Sequence, residues 1–340
     1  MKTLLAVILL LGLLVGGIGA WVYTGIRQPF RGYPAPEQFV EVPSGLGARA
    51  IGDRLVGGGV VRDHVTFRAA MWMAGRNLKL KAGEYRFTDP MSPLEVIDKL
   101  RRGDVYVIPI TFPEGLNVFE MSKIFEAKGF GLAQTFVDAG QPHEGHLFPD
   151  TYALSRHTDA PKLVKIMSDA FEHALTPEIR AAAMDRGLNE QQLVTLASIV
   201  EKETGNPMER PLVASVYENR LRIGMPLQCD PTVIYALELA GRWDGNIHRD
   251  DLSIDSPYNT YRYPGLPPGP IASPGRASLE AVVHPADSDY LYFVSRNDGS
   301  HVFAKNLAEH TKNVQKFQID YFRAGRAGKI GSQSAARRGR

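Results

Sequence analysis

A charge-free apolar run, Leu4 to Tyr23 (LLAVILLLGLLVGGIGAWVY), limits what this chain can fold into more than any other stretch. About 20 such residues in helical form match the hydrocarbon thickness of a bilayer. Lys2 precedes the run, and Trp21 and Tyr23 stand where an interfacial aromatic belt lies. The rival reading is a cleaved signal peptide. A signal core is usually shorter, and no convincing A-x-A site follows this one, so an uncleaved anchor over residues 1–24 is expected. The bulk of the chain then lies on the periplasmic side of the inner membrane, in a single-pass arrangement. Arg27 and Arg31 oppose that orientation by charge, but a large following domain is translocated largely regardless of nearby charge.

The 340 residues leave room for two further domains of ordinary size. The formal net charge of +2 gives no support to a nucleic-acid binder, which needs a basic face or stripe. The single cysteine, Cys229, allows neither an internal disulfide nor a zinc cluster. It is expected to pack rather than to react. No metal-ligand spacing links His284, His301 and His310, so neither metal nor cofactor is expected.

Residues 25–36 read as a short Gly-, Pro- and Arg-containing tether. Residues 37–112 read as a small α+β domain. Gln38 to Val42 alternates as a strand does. Gly47 to Leu55 and Asp63 to Met73 carry helical spacing, and AGEYRF (82–87) enters a second strand. Ser92-Pro93-Leu94-Glu95 is a capping box with proline at the first helical position. The β-α-α-β order resembles a LysM-like carbohydrate-binding module. Residues 113–322 read as a larger mixed α+β domain, and residues 323–340 as a disordered basic tail. Within the larger domain, Asn189 to Gln192 caps a helix whose apolar face is Leu193, Leu196, Ala197, Ile199 and Val200. Gly205 and Pro207 stop it. Asp230-Pro231 is the expected cap of another helix. Tyr290 to Ser295 and His301 to Ala304 form a hairpin around Asn297-Asp298-Gly299. Tyr258 to Pro274 is a long irregular segment of the kind that carries function.

Three blocks hold the chemistry: LASIVEKETGNPMERPLVASVYENRLRIGMPLQCDP (196–231), YNTYRYPGLPPGPIASP (258–274) and EGHLFPDTY (144–152). Together they resemble the MltG/YceG-like endolytic murein transglycosylase family over most of residues 113–322. The resemblance implies a membrane-anchored enzyme that cuts peptidoglycan strands internally. It cleaves between N-acetylmuramic acid and N-acetylglucosamine and leaves 1,6-anhydro ends. It also implies that the catalytic acid is the second glutamate of EKET, Glu203, followed here by Thr204. Cell-wall synthases are candidate partners. Cys229 stands where the family pattern has threonine.

The chemistry needs one acid that first protonates the leaving oxygen and then, as a base, takes the proton of the muramyl 6-hydroxyl. Its pKa must be raised to keep that proton near neutral pH. Glu203 falls in the last turn of its helix, where the dipole disfavours a negative charge. It projects beside Leu196, Ile199 and Val200, where desolvation acts the same way. A solvated helix end is the plain alternative, and helical geometry separates Glu203 poorly from Glu201. The resemblance selects Glu203.

Substrate-binding candidates are Glu144, a possible second carboxylate of the cleft; Asn219, placed to orient Glu203 or bind an acetamido group; Gln228; and Asn259, Thr260 and Tyr261, which carry an amide, a hydroxyl and an aromatic face. Asp230 reads mainly as a helix cap. Two other functions compete: a muramidase that uses water, with Glu144 as second carboxylate, and a non-catalytic glycan-binding scaffold.

Overall fold

The computed structural model describes residues 2–75 and 78–323. The expected basic tail lies, from residue 324 on, outside the described residues. Helix α1 (Lys2–Arg27) is apolar and exposed over the predicted span. It is long and apolar enough to cross a membrane. The helix continues past Tyr23, because its last turn has its own apolar contact: Ile26 is buried. The chain divides into two compact units, residues 1–109 with 153–156, and residues 110–152 with 157 onward.

In the first unit, β1 (Gln38–Val42) pairs antiparallel with β2 (Gly83–Phe87), in a register that sets Val40 opposite Tyr85. Between them run α2 (Ala48–Gly57) and α3 (His64–Ala74), and after β2 comes α4 (Pro93–Arg102). Asp63 caps α3 by accepting from the Val65 and Thr66 N–H groups. The Ser92/Glu95 capping box is complete in both directions. The core gathers Val40, Val42, Ile51, Leu55, Phe67, Tyr85, Phe87, Ile97 and Leu100. The segment read as a tether is pinned to this unit. Phe30 bridges Met91, the Gly32 N–H donates to the Gly59 carbonyl, and Tyr33 is buried. Its aromatic residues outweigh the flexibility suggested by its glycine and prolines.

The second unit contains a helical core. After β3 (Ile108–Thr111) come α5 (Val118–Ala127), α6 (Ala133–Gly140), β4 (Thr151–Leu154), α7 (Ala160–Ala174) and α8 (Pro177–Asp185). At its centre is α9 (Glu190–Glu203), opened by an Asn189/Gln192 capping box. Every residue from Leu193 to Val200 is buried, on all faces of the helix. Such a helix belongs to the middle of a core rather than to its surface. Around it pack α10 (Arg210–Arg222), α11 (Asp230–Leu239) and α12 (Arg276–Val283). A hairpin of β5 (Tyr292–Ser295) and β6 (His301–Ala304) follows, then α13 (Leu307–Val314). Gly145 shows why EGH needs its glycine. Its φ is +77°, and an added Cβ would lie 2.3 Å from the Pro270 Cβ.

Candidate active site

Helix α9 ends at Glu203 because Thr204 turns to extended backbone, with φ −140° and ψ 127°. That ending delivers the Glu203 side chain to the floor of a cavity of about 330 Å³. The walls come from five places. Tyr217 and Arg220, three residues apart on α10, share one helix face. Leu227, Gln228 and Asp230 come from the turn into α11, and Tyr261 from the irregular segment. Tyr292 and Phe293 come from β5, and Leu307 and His310, again three apart, from α13.

The Tyr217 hydroxyl donates to Glu203 Oε1 at 2.6 Å. Burial raises the Glu203 pKa above the usual carboxylate range, and the Asp230 charge adds to the rise. The Cys229 thiol, the Tyr217 hydroxyl and His301 pull the other way. Burial also holds the Tyr217 phenol and the Cys229 thiol well above their ordinary values, so both stay protonated donors toward the carboxyl. Cys229 is thus an inert, buried thiol.

Glu201, two residues earlier on the same helix, has a different role. Its Oε1 accepts from the Arg210 guanidinium at 2.8 Å. Its Oε2 accepts from the Gly275 N–H at 3.0 Å and the Ser278 hydroxyl at 2.7 Å. With both oxygens occupied and almost no exposure, Glu201 anchors α10 and α12 to α9.

This region lies within residues 40–316, which match the YceG-like family. The chain belongs to that family. It is 31% identical over 335 residues to a Bacillus subtilis (strain 168) protein named endolytic murein transglycosylase, covering 90% of this chain and 91% of that one. A Streptococcus pneumoniae (strain D39) protein of the same name is 30% identical over 320 residues, covering 81% of this chain and 57% of its own length. The crystal structure of a yceG-like protein from Listeria monocytogenes is similar with a TM-score of 0.55 at 30% identity. The likeness covers 81% of this chain and 98% of that one.

Of the residues singled out in this YceG-like sequence, Glu203, Gln228 and Tyr261 line one cavity. Gln228 does so with φ +49°, a left-handed conformation that non-glycine residues adopt at a cost. Tyr261 donates its hydroxyl to Asp230 Oδ1 at 2.6 Å. The other candidates frame the cavity or stand apart from it. Asn219 donates to the Ser288 and Tyr290 carbonyls, fixing the approach to β5 rather than orienting Glu203. Asn259 donates to the Leu252 and Ile254 carbonyls and is fully buried. Thr260 bonds Thr232 and receives the Cys229 N–H, holding the turn before α11.

Glu144 is buried elsewhere in this unit. It accepts from the Val118 and Gly145 N–H groups and the Tyr235 hydroxyl. Burial pushes its pKa up to about 7, against those bonds, with a smaller push from Glu238. It is not a wall residue of the Glu203 cavity. Asp230 is, and it is the first residue of α11 rather than its cap. Cys229 takes the cap position without a side-chain bond, and the Asp230 carboxyl accepts from Tyr261. Tyr217, Arg220, Tyr292, Phe293 and His310 carried no local signal of a site. The i,i+3 spacing of Tyr217 and Arg220, which sets both on one face of α10, is the signal that could have found two of them. Among the described residues, no three of His, Cys, Asp and Glu come together in a way that could hold a metal ion.

Proposed function

We propose that this YceG-like chain is an endolytic peptidoglycan lytic transglycosylase in which Glu203 acts first as acid and then as base. The observation that carries the reading is a carboxyl in the wall of a cavity, its pKa raised by burial and one oxygen held by the Tyr217 hydroxyl, with the glutamate two residues earlier taken up in a structural ion pair. Glu203 donates its proton to the oxygen leaving from the muramyl C1. The substrate's own N-acetyl group stabilises the cationic sugar. The Glu203 carboxylate then removes the proton from the muramyl 6-hydroxyl, whose oxygen closes on C1 to give the 1,6-anhydro end. No water enters the balance, and Glu203 ends as it began. Tyr217 holds the carboxyl in place through both proton transfers. Gln228 and Tyr261 contact the sugars. Glu144, Asn219, Asn259 and Thr260 act through the frame of the site.

Helix α1 supports a single-pass membrane anchor with the second unit on the periplasmic side, where nascent strands and their synthases lie. The β1-α2-α3-β2 order of the first unit supports a LysM-like glycan-binding module. Glu203→Gln tests the catalytic claim. Cleavage of purified murein should fall by about 10²–10⁴-fold with the fold intact, the usual contribution of a positioned acid/base. Cleavage by this variant at the parent rate would end the proposal and leave a glycan-binding scaffold.

A water-using muramidase is favoured by one observation, the second cavity carboxylate, Asp230. Product masses separate the two. Hydrolysis leaves reducing ends heavier by one water than anhydro ends.

A further inference from the structure

We infer that Arg220 forms a carboxylate-binding subsite in the Glu203 cavity, for an acid carried by the muramyl residue of the strand. The inference rests on the strand-cleaving reading of that cavity. It starts from two arginines of α10 that are equally buried, each 7% exposed. A buried guanidinium is costly unless it is paired. Arg210 has its counter-ion, Glu201 at 2.8 Å. Arg220 has none among the described residues. Its Nε donates to the Leu291 carbonyl at 2.7 Å, and its Nη1 to the Leu227 carbonyl at 2.6 Å and, more weakly, the Pro226 carbonyl at 3.5 Å. These are neutral acceptors. They lock the plane of the group, and Tyr292 adds a ring 5.3 Å from it. The remaining nitrogen, Nη2, has no protein partner among the described residues, and Arg220 is a wall of the cavity.

The surroundings suit an anion at that nitrogen. His310 stacks on Tyr292 at 5.0 Å, and its Nδ1 is buried without a partner among the described residues. Two carboxyl groups share the cavity, but neither takes the guanidinium. Glu203 is held by Tyr217, and Asp230 by Tyr261. A ligand carboxylate is repelled from the Asp230 side and received at Nη2. Murein supplies such a group on every second sugar. N-acetylglucosamine bears no acid. The muramyl residue bears a lactyl carboxyl, which is free in stripped strands and in intact ones carries a peptide with its own carboxylates. A cation here reads which sugar occupies the site, and so which of the two alternating linkages meets Glu203.

The test measures binding of defined strands to the full-length Glu203→Gln chain in detergent by calorimetry, so that nothing is cut. One probe is glycan stripped of peptide; the other bears the stem peptide. Each is used with free carboxyls and with its carboxyls converted to amides. Amidation should weaken binding tenfold or more for at least one probe. Loss with the stripped probe identifies the lactyl group, and loss confined to the peptide-bearing probe identifies the stem. Adding Arg220→Lys should weaken binding of the free acid and leave the amide form unchanged. If neither probe loses affinity on amidation, the inference is overturned, whether or not the lysine variant folds. Parental Glu203-dependent cleavage in that case would leave the proposed function standing, whereas cleavage by Glu203→Gln itself would remove that function instead.

Discussion

Tyr217→Phe separates a proton-handling role for Glu203 from a structural one. The change removes one hydroxyl and keeps the ring that packs edge-on against Phe293, centroids 5.9 Å apart. The lost bond is a 2.6 Å O–H···O contact to Glu203 Oε1. Bonds to charged groups contribute about 1.5–3 kcal/mol. Removing this one raises the Glu203 pKa. The sign follows from the donor, which stabilises the carboxylate more than the acid. In the proposed reaction the acid form of Glu203 acts first, so activity should be lost as pH rises through this pKa. The alkaline limb of kcat/KM, which reports the free enzyme, therefore moves to higher pH in the variant. The assay counts anhydro ends released from purified strands between pH 4 and 10, roughly the window that spans both limbs. A merely structural loss lowers the plateau and leaves the limb in place. A limb that stays put, or moves to lower pH, refutes the assignment of this bond to the catalytic acid.

Three further expectations concern stability. Glu144→Gln should flatten the pH dependence of unfolding. A folded pKa of about 7 against an ordinary 4.5 means stability is full below about pH 4.5 and is lost as pH rises to 7, by about 3 kcal/mol. Urea midpoints of parent and variant should diverge across that window, and parallel curves would contradict the burial of a protonated acid there. Arg210→Met should cost about 3–5 kcal/mol by urea unfolding, because it leaves Glu201 buried without its cation; a loss under 1 kcal/mol would show that Gly275 and Ser278 suffice. Gln228→Gly should stabilise by up to about 1 kcal/mol while lowering cleavage, since it relieves a φ of +49° at a cavity wall; a destabilised variant would mean the turn is not strained.

What was legible in the sequence was what neighbours along the chain decide. The capping boxes at Ser92 and Asn189 are written in four consecutive residues, and both form. The position of Glu203 in the last turn of its helix follows from where the apolar period stops. Helices α6, α8 and α12 are not legible in the sequence, because eight or nine residues are too few to establish a helical period. The division of labour between Glu201 and Glu203 was hidden for a different reason. The groups that tie up Glu201, Gly275 and Ser278, lie 74 and 77 residues downstream. The far wall of the cavity, from Tyr292 to His310, is more distant still. Asn219 illustrates the same limit. Its position on α10, two residues after Tyr217, invited a role at Glu203, yet its amide is spent on two carbonyls that only the folded hairpin brings near.

The two glutamates of EKE show how a fold gives identical side chains opposite surroundings. Both sit in the last turn of α9, where the helix dipole disfavours negative charge. The dipole therefore does not distinguish them. What does is the face each presents. Glu201 meets a guanidinium and two further donors, so its charge is matched and its geometry fixed. Glu203 meets a phenol and a thiol, donors that orient a carboxyl without supplying a full positive charge. The buried cation nearest the site, Arg220, makes no ion pair with it. Had Arg220 paired with Glu203, the guanidinium would pull the pKa of the acid down against the rise from burial. On the proposed reading, a cation in the cavity but off the acid would let one site hold a proton donor and attract an anionic strand together.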